Sequence, residues 1–373
     1  MKRWLVWVLV LAVVGSGCSP NSRSKQKLLE RLGVISAVGY DMTDKQDFKL
    51  GTFVLPNFTE TGKEKVDVLT ASGRTSKEMR FNMSRMSERQ LVGGQIRVVL
   101  YGDELAKEGI LPLSDTLFRD AEIGSQIHLA VVDGRAVDML THRYPDKPSV
   151  DIYLYQMLRK EMEQNTIPLS NLHLFLHDAY NAGADPVLPY LELGQEDVIL
   201  NGVAVFNEDR MVGRLSGEET RALAYMYGRN SVGAIEANVD ESGPHGTPGR
   251  AVMMYLKLNR KREVSVVKGI PHFHLLYSID GGITEYTGEQ NLEEEPVVKQ
   301  LETKLADKLR GQMERVVEKL QHEFHSDPLG FGELYRSRGY VKKLEEKTWR
   351  KLYEKAKIDI DVKITIKQTG MIH

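Results

Sequence analysis

The chain has 373 residues, with 50 Lys+Arg against 52 Asp+Glu, 41% apolar residues and one cysteine, Cys18. This apolar fraction and near-zero net charge exclude a disordered chain and a general nucleic-acid binder. One cysteine excludes a disulfide framework or a multi-cysteine zinc site, and the length predicts two or three domains.

Lys2 and Arg3 precede the apolar stretch Trp4 to Val14, too short for a hydrocarbon core that needs roughly 20 residues. Gly15, Ser16 and Gly17 then lead into Cys18. A basic start, a short apolar run and small residues make an export signal over 1–17. A cysteine at the cleavage point makes it a lipoprotein signal, although Gly15 stands where Leu is usual. The expectation is that the Cys18 thiol receives a diacylglycerol group and that residues 18–30 act as a polar tether. Two acyl chains anchor a protein stably, whereas one binds only marginally.

Leu32 to Gly39 and Phe48 to Leu55 predict a hairpin around the turn formers Asp41 to Asp47. Lys65 to Ala71 predicts a strand, and Thr75 to Arg85 a helix opened by Ser76. Strands are expected at Gln95 to Tyr101 and Gln126 to Val132. Helices are expected from Asp103, over Ser114 to Arg119 and over Arg135 to Thr141. Val150 to Gln164 predicts a helix with Ile152, Tyr155 and Met162 inward, and Leu169 to Asn181 another, before Asp185 to Pro189 breaks the pattern. Strands follow at Val198 to Phe206 and Arg210 to Leu215, then a helix capped by Ser216. A domain boundary is expected near residue 195, giving domains over 31–195 and 196–373, the second with a subdivision near 265–290.

Asp240 to Gly249 predicts a loop, followed by strands at Ala251 to Asn259, Glu263 to Lys268 and His272 to Ile279. A long helix over Leu292 to Phe324 carries the stripe Val298, Leu301, Leu305, Leu309, Met313, Val316, Leu320 and Phe324, stopped by Asp327-Pro328. A helix over Leu344 to Ala356 and an alternating strand over Ile358 to Lys367 complete a multidomain α+β reading, with mixed sheets and packed helices.

Little in the chain carries chemistry. His173 and His177 are four apart on a predicted helix, but Leu174 stands where a zinc peptidase needs Glu. His272 and His274 share a strand face with no third ligand nearby in sequence. Gly330-Phe331-Gly332 follows no strand and reads as a turn-shaping loop before a helix. Arg336 to Lys357 holds nine Lys or Arg and three Glu. Such a face attracts anionic lipid, yet the interspersed Glu345, Glu346 and Glu354 favour a solvated helix face. No catalytic set, cofactor site or metal site is expected.

Gly202-Val-Ala-Val-Phe206, Met211-Val-Gly-Arg-Leu-Ser-Gly-Glu-Glu-Thr220 and Asp327-Pro-Leu-Gly-Phe-Gly-Glu333, with Trp349 and a terminal strand ending near Gly370, resemble the C-terminal domain of the spore germinant receptor C-subunit family, Ger(x)C. Gly73-Arg-Thr75, Arg97-Val-Val-Leu-Tyr-Gly-Asp-Glu-Leu-Ala106 and Phe118-Arg-Asp-Ala-Glu-Ile123 match its N-terminal half. Members commonly carry Trp-Asp after the lipidated cysteine, where this chain has Ser19-Pro20. The resemblance implies a non-enzymatic, lipid-anchored subunit of a nutrient-sensing receptor on the outer side of the spore inner membrane, with integral-membrane A and B subunits as partners. Within the Asp327 motif it implies structural roles for the glycines. The alternative is a lipid-anchored solute-binding receptor feeding a transporter. A third class, a surface hydrolase, would need a reactive nucleophile or a metal, such as zinc at His272 and His274.

Overall fold

The computed structural model describes residues 31–369 apart from 46, 59–63, 229–232 and 241–248. The signal, Cys18, the tether and most of the loop expected over Asp240 to Gly249 lie outside the described residues. β1 (Leu32–Val34) pairs in parallel with β5 (Gln90–Val92) in a small sheet of its own. The main sheet comprises β2 (Ala37–Met42), β3 (Lys49–Phe58), β4 (Glu64–Gly73), β6 (Val98–Gly102), β7 (His128–Val132), β8 (Val187–Leu193), β9 (Val198–Asn207) and β10 (Arg210–Leu215). Its order is β10-β9-β8-β7-β6-β2-β3-β4. The centre is parallel, and the flanks are antiparallel hairpins.

Continuous apolar runs place β6 and β7 at that centre, since a strand covered on both faces has no wet side. Val98, Leu100, Ala130 and Val132 feed one core, and Val99, Tyr101, Leu129 and Val131 the other. α1 (Ser76–Ser84), α2 (Asp103–Glu108) and α3 (Leu111–Phe118) cover the second core. α4 (Ala136–Thr141) and α5 (Val150–Glu163) cover the first, and α6 (Leu172–Ala179) returns to the second.

Three expectations are corrected here. Thr75, not Ser76, caps α1: its hydroxyl accepts the Glu78 N–H at 3.1 Å, while buried Ser76 bonds the Tyr40 hydroxyl at 2.6 Å. The inward stripe of α5 is Leu154, Leu158 and Met162, with Ile152 and Tyr155 only half-buried. Asp185 to Pro189 leads into a strand, β8. Pro189 is tolerated there because the register with β9 shifts between Pro189 and Leu191, where a missing N–H costs no ladder bond.

Leu193 pairs with Val198 across a tight connection in which the Gly194 N–H reaches the Asp197 carbonyl at 2.8 Å. The main sheet therefore runs without a break across residue 195. Ser216 then opens α7 (Gly217–Tyr227) with a reciprocal capping box to Glu219.

The second sheet has the order β11 (Gly233–Asp240), β12 (Gly249–Val267), β13 (Ile270–Tyr286) and β14 (Lys357–Gln368), with β13 and β14 parallel. Two long strands replace the three short ones expected. Lys268 and Gly269, at φ 52° and 79°, turn β12 into β13 as a two-residue hairpin. Arg260 and Arg262 stay in the strand because each finds an inward partner: Arg260 donates to the Met226 carbonyl at 2.9 Å, and Arg262 lies 5.0 Å over the Phe331 ring. The hairpin passes through 265–286 unbroken.

α8 (Glu295–Glu318) continues as one π turn, Lys319–Glu323, and buries Leu301, Leu305, Leu309, Met313, Val316 and Leu320 against this sheet. Ile360 and Ile364 of β14 meet it, and the Ile366 N–H reaches Glu302 at 2.7 Å. The α+β class with mixed sheets, long amphipathic helix and terminal strand holds.

Candidate functional site between the two halves of the chain

Two Asp-Pro pairs, Asp185-Pro186 before β8 and Asp327-Pro328 after α8, meet at the seam between the sheets. The Asp185 N–H donates to the Asp327 carbonyl at 3.0 Å, and the Asp327 N–H donates to the Asp185 carboxylate at 2.7 Å. Both side chains are buried. Asp327 Oδ1 accepts the Phe331 N–H at 2.9 Å, and its Oδ2 accepts the Gly332 N–H at 2.9 Å and the Trp349 indole N–H at 3.1 Å. The carboxylate thus occupies the first turn of α9 (Phe331–Ser337), where helix N–H groups lack intrahelical partners.

Asp185 has a different set of donors. Both Nη atoms of Arg350, from α10 (Glu346–Lys355), hold it as a bidentate pair, and the Glu208 N–H adds a third bond at 2.9 Å. Such a pair is strong in hydrogen bonding but carries a desolvation cost. The Ser326 hydroxyl donates to the Phe206 carbonyl at 2.6 Å, and the Asn207 amide to the His325 carbonyl at 3.0 Å, extending the clasp along β9.

The glycines permit this contact. A Cβ on Gly332 would lie 2.5 Å from the Gly183 Cα and 2.7 Å from the Trp349 ring. A Cβ on Gly183 would lie 2.5 Å from the Glu333 nitrogen, whose N–H donates to the Gly183 carbonyl at 3.0 Å. Gly330 takes φ +65° just before α9. Around them Phe273, Phe331, Tyr335, Trp349 and Tyr353 pack in stacked, tilted and edge-on contacts at centroid distances of 4.7 to 6.3 Å.

Burial pushes the Asp327 carboxyl up to about 7, against the pull of its N–H donors. At the rim, the hydrogen bond with Glu346, and then burial, pushes Glu208 up to about 7. Both Asp carboxylates are saturated by donors and closed off from solvent. The arrangement joins two parts of the chain, with both Asp carboxylates engaged in the join.

Residues 25–193 match the family described as spore germination protein, N-terminal domain, and residues 201–370 match spore germination B3/GerAC-like, C-terminal. The chain belongs to the GerAC-like family of spore germination proteins. It is 23% identical to spore germination protein GerQC of Bacillus cereus over 371 residues, 100% of this chain and 99% of that one. It is also 23% identical to spore germination protein B3 of Bacillus subtilis strain 168, over 93% of each. The crystal structure of the GerBC protein superposes with a TM-score of 0.57 at 18% identity, covering 88% of this chain and 97% of that one, and shares the fold. In this GerAC-like chain Asp185 comes from the first matched region, and Asp327 and Arg350 from the second.

The structure separates the residues singled out in the sequence. Gly330, Phe331 and Gly332 belong to the clasp: Gly330 precedes α9, and the other two form its first turn rather than a free loop. His173 and His177 face solvent on α6, the latter bonded to Asp178 at 2.8 Å. His272 and His274 line an open cleft of about 610 Å³ with Lys261, Glu263 and Arg338. A carboxylate does reach this pair, since the parallel β14 brings Asp361 to 2.7 Å from His274. Among the described residues no group of three or more His, Cys, Asp or Glu could hold a metal. Of the basic segment Arg336 to Lys357, Arg350 turns inward to Asp185. Cys18 lies outside the described residues. Asp185 carries one sequence signal, the Asp-Pro pair it shares with Asp327; Gly183 and Arg350 carry none.

Proposed function

We propose that this chain is the non-enzymatic C subunit of a nutrient-sensing germinant receptor, held by diacylglyceryl-Cys18 at the outer face of the spore inner membrane beside integral-membrane A and B subunits. The observation that carries this reading is the pair of family matches, which follow one another in order along residues 25–370 directly behind a lipoprotein-type signal. The names of the relatives GerQC and B3, both spore germination proteins, support the setting. Among the described residues no helix is long and apolar enough to cross a membrane, so attachment through Cys18 fits the body that follows. The buried clasp, which makes one body of the two matched regions, suits a subunit acting through contacts.

Affinity isolation of the chain from spore membranes is expected to bring A- and B-type subunits with it, and deletion to remove the response to at least one nutrient. Isolation without either membrane subunit, together with an unchanged response to every nutrient, would overturn the reading.

A further inference from the structure

We propose that the corner formed by α1 and β5 is the face on which the folded body rests against an anionic lipid surface; this rests on the reading of Cys18 as the lipid anchor. The described chain begins at this corner. The Arg31 carbonyl accepts the Gln90 N–H at 2.8 Å, and β1 then runs beside β5. Twelve residues lie between Cys18 and Arg31, so even a fully extended segment spans at most about 45 Å. An acyl-anchored Cys18 therefore keeps this corner, more than any other part of the body, close to the bilayer.

The corner has the composition of an interfacial surface. Lys77, Phe81 and Arg85 follow one another at helical spacing on the solvent side of α1, opposite the buried Met79 and Met83. Phe81 is 64% exposed and Met86, just past the helix, 59%. Phe118, 46% exposed, ends the neighbouring α3, and Arg80 ties the two helices by reaching Asp120 at 3.0 Å. An aromatic and a thioether flanked by Lys and Arg suit the boundary between headgroups and acyl chains. Of the nearby carboxylates, Glu88 pairs with Arg89 at 3.2 Å, Asp120 and Glu122 share Arg80 at 3.0 and 3.8 Å, and Glu78 keeps its charge while accepting the Arg74 N–H, so that Lys77, Arg85, Arg31 and Arg74 still outnumber the unmatched carboxylates. Lys77, Arg85 and Arg31 take part in no ion pair among the described residues, which leaves a net positive corner that anionic headgroups complement.

The test uses the mature lipidated chain in vesicles of phosphatidylglycerol and brominated phosphatidylcholine. Phe81→Trp supplies the reporter, because Trp349, the other tryptophan beyond Cys18, is fully buried. Ile199→Trp, exposed beside α5 on the opposite face, is the control. Flotation reads the anchor, and bromolipid quenching reads the docking. The expected result is flotation of both variants, with the Phe81→Trp emission blue-shifted and largely quenched and the Ile199→Trp emission unchanged. Flotation without quenching at Phe81→Trp, or equal quenching at both positions, would overturn the docking while leaving the anchor standing. Shielding of Phe81→Trp only when the membrane subunits are present, without bromolipid quenching, would make the corner a protein interface and overturn the lipid proposal. If the chain carries no lipid, the anchor reading fails by itself. The corner is then judged by sedimentation with the same vesicles: a loss of about fivefold or more for Arg85→Glu upholds it, and no loss overturns it.

Discussion

On one face of the main sheet, α4 and α5 run into the core of the C-terminal half, so that Ala37, Val98 and Leu154 share one continuous cluster with Leu305, Phe331 and Trp349. On the other face, the short helices α1, α2, α3 and α6 are the outermost layer, and Phe81, Phe118 and Tyr180 stand exposed on or beside them. Strands with nearly the same apolar content supply both faces. The difference lies in what covers them. One face is closed by the chain itself, with the Asp185–Asp327–Arg350 clasp at its seam; the other ends in helices whose outer sides are exposed. Stability should concentrate at the first and association at the second.

The strongest way to break that contrast is at the seam. Asp185→Ala leaves the Arg350 guanidinium half-enclosed without its carboxylate and should cost about 3–5 kcal/mol, read as a lowered urea midpoint. Gly332→Ala forces a Cβ against Gly183 and Trp349 and should cost about 1–3 kcal/mol; a thermal melt unchanged from wild type would mean that the two backbones are not in contact. A pH series sharpens the account of Asp327. Its carboxyl is raised to about 7 in the folded chain, against about 3.9 unfolded, so the native state binds more protons between those values. Its contribution to stability is full below about pH 4, is lost as pH rises towards 7, and is flat above. Urea midpoints should therefore fall between pH 5 and pH 7, and fall less in Asp327→Asn. On the open face, Phe81→Ser should change stability by no more than about 0.5 kcal/mol, a small effect that is itself the contrast.

Much of this architecture was legible in the sequence, for identifiable reasons. The stripe Leu301 to Leu320 and the alternation from Ile358 to Ile366 each face one apolar partner, so their periods survive in the residues. Ser216 and Glu219 announce α7 by a local bond alone. The failures came where distant partners decide. β8 carries Pro189, tolerated only because of a register shift against β9. The charged run Arg260 to Arg262 stays in β12 because Met226 and Phe331 receive its arginines. At the clasp, the Asp327 motif was visible, but its partners Gly183, Asp185 and Arg350 come from segments far along the chain. The Asp361 contact to His274 likewise depends on the register of a parallel pair that no local pattern encodes.

Hydroxyl-radical footprinting of the full chain in its own membrane, against the detergent-released protein, tests the contrast between the faces most directly. Met86 and Phe81 are expected to react strongly after release and weakly in the membrane, while Tyr340, exposed on the C-terminal half, reacts equally in both. Equal reactivity of Met86 and Phe81 in the two states, with new protection at Tyr340, would contradict the account.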